Sequence, residues 1–229
     1  MLEPLPGVPQ VTLPGFARAA LGVTERNTRH WRLGRRIARR AARQARDLGM
    51  DPTVLDATLL VAWCEGETVF VHLYGDGCIA VRRADGEVAA IQVEYAENAP
   101  YYLSYLLDSE RCALYREVIG DPAVARTVRY LNETGVTTRL ESFDSPTVFG
   151  FSLAVLPVVA VATDGLSSFV NAETRERLDV LPVARDLLDF SDLRDDFVGR
   201  RLRQVLADYG RQRVFNVDDI GLGAFVGKD

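Results

Sequence analysis

The spacing of apolar positions changes character along the chain. Over residues 28–48, the small and apolar positions Leu33, Gly34, Ile37, Ala38, Ala41, Ala45 and Leu48 recur at helical spacing. Arg29, Arg32, Arg36, Arg39, Arg43 and Arg46 occupy the opposite face. This predicts an amphipathic helix with a thin, close-packing stripe, N-capped by Thr28 and ended by Gly49 in left-handed geometry. Past Asp51-Pro52 the pattern turns to period two or to short solid apolar runs, at 57–63, 69–74, 78–82 and 88–93. Glu65-Gly66-Glu67, Gly75-Asp76-Gly77 and Asp85-Gly86 separate them. Connections this short exclude βαβ crossovers and predict an antiparallel meander.

Residues 94–133 lack a clean period and read as a connection followed by helical turns at 109–118 and 122–131. Strand signal returns at 137–143, 148–153 and 156–162, helices follow at 174–188 and 197–209, and a last strand covers 220–226. Pro4, Pro6, Pro9 and Pro14 crowd the beginning, removing amide donors and favouring extended backbone. The expected organisation is a proline-rich arm, 1–27, and one domain, 28–229. That domain reads as an α/β sandwich (α+β) of two mainly antiparallel sheets flanked by helices.

No run approaches the ~20 apolar residues of a membrane span; the best stretch, 149–162, is broken by Pro157. The first twelve residues lack the basic start and apolar core of a signal peptide, so the expected location is cytoplasmic, with no membrane partner. Cys64, Cys78 and Cys112 form no C-x-x-C pair and read as buried free thiols. With only His30 and His72 present, carboxylates must carry any chemistry. The net charge of −5 is unevenly placed: residues 26–46 hold nine arginines and no acid, leaving −14 on everything else (−5 minus 9).

Three aspartates share one local design, at the end of an apolar strand beside glycine or a second aspartate: Gly75-Asp76-Gly77, Ala162-Thr163-Asp164-Gly165 and Val217-Asp218-Asp219. Strand ends sit at the rim of a sandwich, where such acids can converge and offer oxygen ligands to Mg²⁺ or Mn²⁺. The order and spacing of these motifs, with Ala57-Thr58-Leu59-Leu60-Val61 ahead of them, resemble the metal-dependent type 2C protein phosphatases, over about residues 28–227. The resemblance implies Asp164 and Asp218 as metal ligands, Asp76 as the acid of a further, weaker site, and Asp219 as a reserve ligand. It also implies a phosphoprotein substrate and hydrolysis by a metal-activated water. Nothing in residues 1–26 matches the family's opening section, which supplies strands, a phosphate-contacting arginine and the aspartate that bridges two metals. The chain therefore reads as a bacterial-like member lacking its N-terminal metal-binding motif and first strands. The alternative is a catalytically silent pseudophosphatase that acts as a protein-interaction module for a regulatory protein. Exposed core at the gap leads to an expectation of self-association or of the arm docking over it.

Other features have plainer readings. The arginine face is expected to be a solvated surface, with nucleic acid, stacked on Trp31 or His30, a minor alternative. His72 is expected to be packed or hydrogen-bonded. The tyrosines Tyr95, Tyr101, Tyr102 and Tyr105 are expected to be core. Segment 166–178, with Ser167 and Ser168, is where the family carries a mobile flap.

Overall fold

The computed structural model describes residues 16–17 and 23–227. Its elements, in chain order, are β1 (Phe16–Ala17), α1 (Val23–Asp47), β2 (Leu59–Glu65), β3 (Thr68–Tyr74), β4 (Gly77–Arg82) and β5 (Val88–Tyr95). They continue with α2 (Ser109–Val118), β6 (Arg126–Asn132), β7 (Gly135–Glu141), β8 (Val148–Ser152), β9 (Val158–Ala162) and β10 (Phe169–Asn171). The last are α3 (Val180–Leu188), α4 (Phe197–Arg211), β11 (Val214–Asn216) and β12 (Leu222–Val226). One sheet has the order β1-β8-β3-β2, a larger one β12-β9-β4-β5-β6-β7, and β10 pairs with β11; the ladders are antiparallel.

Alternation along the strands builds the layers. Val69, Val71 and Leu73 of β3 point into the space between the sheets, where they meet Ile79, Val81, Ile91, Val93 and Val159 of the larger sheet. The intervening positions of that sheet are small, with Cys78, Ala80, Ala90, Ala160 and Ala162 lying under α3 and α4. On the other side, Tyr74 of β3 packs against Ala38 of α1 and Leu103. The result is the expected sandwich, two antiparallel sheets between two helical layers.

Helix α1 packs through its small residues. A Cβ on Gly34 would lie 2.8 Å from both Leu103 and the Tyr74 ring, so the helix sits closer there than any side chain permits. Its end is a Schellman motif: Met50 N–H donates to Ala45 O (2.8 Å) and Gly49 N–H to Arg46 O (2.9 Å), with Gly49 at φ +70°. The helix starts at Val23, so Thr28 lies inside it and is not its cap. Leu48, expected in the packed stripe, follows the last helical turn and is 75% exposed.

Two other expectations change. The chain does not meander through one sheet, because Gly75-Asp76-Gly77 carries it from the smaller sheet into the larger. Glycines at φ +91° and +138° make this crossing, and a Cβ on Gly75 would meet the Thr58 hydroxyl at 2.7 Å. Residues 122–131 are not helical beyond a 3-10 turn, Pro122–Val124; they become β6. Its inward positions are Arg126, Val128 and Tyr130, and the buried arginine conceals the alternation. Of the cysteines, Cys78 is buried, Cys112 intermediate and Cys64 exposed; all are free. Of the expected arm, 1–27, Phe16–Ala17 pair with β8 and residues 23–27 begin α1; residues 1–15 and 18–22 lie outside the described residues. No helix among them is long and apolar enough to cross a membrane.

His72 is buried between α1 and β3, as expected, and so is His30. Their Nδ1 atoms are 3.1 Å apart, His30 stacks on Tyr74 (4.2 Å), and His72 stacks on Trp63 (5.2 Å). The bond requires at least one bare Nδ1. Burial lowers the pKa of His30 to about 2, helped by His72 and Arg126, and that of His72 to about 4. The unfolded chain takes up these protons near 6.5, so the folded state loses stability as pH falls from there towards 4. The slope is at most ~1.4 kcal/mol per pH unit for each ring. The urea midpoint is expected to drop between pH 7.5 and 5.5 by the equivalent of about 3 kcal/mol for the two rings together; an unchanged midpoint would contradict this.

Candidate metal-binding cleft

The strand order of the larger sheet decides where the acids go. Cys78 of β4 lies opposite both Ala162 of β9 and Gln92 of β5, and Ala162 lies opposite Leu222 of β12. Asp76 just precedes β4, Asp164 just follows β9, Asp218 precedes β12 and Glu94 is near the end of β5. All four therefore emerge at the same edge of the sheet, on adjacent strands. They line one cleft of about 220 Å³, together with Gln92, Tyr95, Asn98, Ser167, Ser168 and Arg177.

Each acid is held locally. The Thr58 hydroxyl, at the entry to β2, donates to Asp76 Oδ1, which ties the sheet crossing to the neighbouring strand. Asp164 opens a 3-10 turn, Asp164–Ser167. The Ser167 hydroxyl donates back to the Asp164 carbonyl (2.8 Å). The Ser168 hydroxyl donates to Gly165 O (2.8 Å) and accepts the Asp218 N–H (3.3 Å). These serines therefore tie the segment down where a flap was expected, and β10 and β11 continue the anchoring, with Phe169 fully buried. Gly165 allows the closest approach: a Cβ there would stand 2.2 Å from the Asp219 carbonyl oxygen, so only glycine lets the Asp164 turn lie against the chain before β12.

Asp76, Asp164 and Asp218 are thus brought together, and Asp219 is not. Its carbonyl accepts from the Thr163 hydroxyl (3.1 Å), its N–H donates to Asp218 Oδ1 (2.8 Å), and its exposed side chain does not line the cleft. Glu94 escaped sequence reading because it follows the apolar run of β5 without a motif. Arg177 escaped because it reaches the cleft through β10, a strand too short to leave a pattern.

Desolvation raises the pKa of Asp164, and the charges of Asp76 and Asp218 raise it further. Carboxylates that repel one another across a shared space suit a divalent cation. The donors are hard oxygens, which fits Mg²⁺ or Mn²⁺. Cys78 offers no thiolate, since burial, with the Glu94 charge, pushes its thiol up to about 12. Among the described residues, no three His, Cys, Asp or Glu side chains stand close enough to hold a metal ion between them.

The family model for protein phosphatase 2C matches residues 15–207, most of the chain. The chain belongs to the protein phosphatase 2C family. Neither the curated proteins nor the solved structures give a match. The matched region contains Asp76, Glu94, Asp164 and Arg177 and stops short of Asp218. Membership gives a phosphatase-type function at the level of the family, and the α+β architecture agrees with it.

Proposed function

We propose that this chain is a cytoplasmic Mg²⁺- or Mn²⁺-dependent phosphatase of phosphoserine and phosphothreonine in proteins, with Asp76, Asp164 and Asp218 as metal ligands. The observation that carries this is the convergence of the three aspartates on one cleft. When bound, the cation supplies Lewis acidity, an acidified water and positive charge against the phosphoryl oxygens. Asp76 and Asp218 each keep one carboxylate oxygen occupied by a hydrogen bond, which fixes the direction of the other. Glu94 is held by Gln92, whose Nε2 donates to Glu94 Oε1 (2.9 Å). It stands at the cleft as the acid available in place of the family's bridging aspartate.

Arg177 is the cationic side chain lining the cleft, and it makes no salt bridge among the described residues. Its guanidinium is free to take a phosphate by a bidentate contact. Its backbone is positioned by a bridge to Val170 and by Leu178 N–H donating to Phe169 O (2.9 Å). We assign it the phosphate contact that the family otherwise draws from its opening section.

The test pairs calorimetric titration of Mn²⁺ with hydrolysis of a phosphoserine peptide, for the wild type and Arg177→Ala. Arg177→Ala is expected to lower kcat/KM by about 10- to 100-fold while Mn²⁺ affinity stays unchanged. A wild type that neither binds Mn²⁺ nor hydrolyses the peptide would instead support the second reading, a catalytically silent interaction module. The lack of a ready three-ligand set among the described residues favours that reading.

A further inference from the structure

The arginine helix and the tyrosine segment, neither used by the cleft, meet at a second cavity. Trp31 and Arg35 of α1, Tyr101 and Leu106 from the segment after β5, and Arg116 of α2 line, with residues 144–146, an open cavity of about 430 Å³, a volume in the range of ligand pockets. The aromatic wall is fixed before anything binds. Tyr101 is buried against Phe143 (4.8 Å) and Tyr115 (5.2 Å), its hydroxyl lies 3.4 Å from Cys112 Sγ, and Trp31 meets it edge-on at 6.1 Å.

Charge surrounds this wall on one side. Arg35 and Arg116 make no salt bridge among the described residues, and the one acid at the cavity, Asp144, takes the Ser142 hydroxyl (2.7 Å). Along the outer face of α1, Arg32, Arg36, Arg39 and Arg43 are exposed and likewise without carboxylate partners among the described residues. Elsewhere arginines are routinely neutralised, as Arg82, Arg83, Arg111, Arg126 and Arg185 are. A row of guanidinium groups without carboxylate partners among the described residues, beside an aromatic pocket, complements one chemistry, an acidic chain bearing a single large apolar side chain.

We propose that this surface docks an acidic protein segment, which inserts one aromatic or aliphatic side chain into the cavity lined by Trp31, Tyr101 and Leu106 and lays its carboxylates along α1. The pocket supplies the desolvated anchor on which such interfaces concentrate their energy, and the arginines supply steering and register. Nucleic acid is a poorer occupant: His30, which would stack on bases, is turned inward and sandwiched against Tyr74 and His72. The site is independent of the metal reading.

The test uses the full chain and a short dye-labelled peptide of Asp and Glu around one central Phe, followed by fluorescence anisotropy. Binding that weakens with salt is expected, at least about tenfold tighter than for the same peptide with Gly in place of Phe. Arg35→Ser combined with Arg116→Ser is expected to lose a similar factor at an unchanged melting temperature. In a Trp63→Phe background, the remaining Trp31 emission is expected to shift on binding. Indifference to the Phe, indifference to both arginines, or no binding overturns the proposal. So does tighter binding of an oligonucleotide or of phosphatidylglycerol vesicles.

Discussion

Asp164→Asn is expected to remove Mn²⁺-dependent hydrolysis, by at least about a hundredfold, while making the metal-free protein slightly more stable. The two effects have one source. Asp164 is half-buried, its pKa is raised by desolvation and by the charges of Asp76 and Asp218, and its turn is locked against the chain before β12 by Gly165 and Ser168. A neutral isostere keeps the shape and removes the repulsion. Water screens a site this open, so the gain is no more than about 1 kcal/mol, or about 2–4 °C in melting temperature for a chain of this size. In the wild type, Mn²⁺ raises the melting temperature in proportion to its occupancy; in Asp164→Asn that rise should vanish. A variant that keeps the Mn²⁺-induced rise would remove Asp164 from the ligand set. A variant less stable than the metal-free wild type would show that the acids do not repel one another there.

The sequence carried the sandwich because both of its patterns are strong. The stripe of α1 is set by solvent on one side and core on the other, while β3, β4 and β9 are covered on both faces and read as short solid apolar runs. What it did not carry depends on long-range pairing. β6 was hidden by an arginine at an inward position, and β10 and β11 are three residues each, too short to show a period. The Gly75-Asp76-Gly77 crossing looks like any hairpin turn until the partners of β3 and β4 are known. The site divides in the same way. Asp76, Asp164 and Asp218 each stand in a local motif. Glu94 and Arg177 arrive only through the strand order, and Asp219, locally the twin of Asp218, is exposed and does not line the cleft.

Arg126 shows how the hidden strand reaches the cleft, and removing its partner is expected to produce the largest loss of stability. The guanidinium is 1% exposed and donates to Ser145 O (2.5 Å) and Thr147 Oγ1 (2.6 Å) while pairing with Glu141 of β7. Opposite Arg126 in the β5–β6 ladder is Tyr95, a residue of the cleft wall. Glu141→Ala leaves that charge buried without its counter-ion, at a cost of about 3–5 kcal/mol. The cost should fall near the lower figure, because the carbonyl and hydroxyl acceptors remain. Replacing both partners, as Arg126→Met with Glu141→Leu, removes the charge together with its demand, so the double variant is expected to be more stable than Glu141→Ala alone. Urea midpoints of the three proteins decide it: a double variant that falls below the single one would mean that the arginine's other hydrogen bonds, and not charge compensation, hold this corner. Because Tyr95 lines the cleft and stands opposite Arg126, Glu141→Ala is also expected to weaken Mn²⁺ binding without touching a ligand. The stability of β6 and β7 and the shape of the cleft are therefore one property of the same buried network.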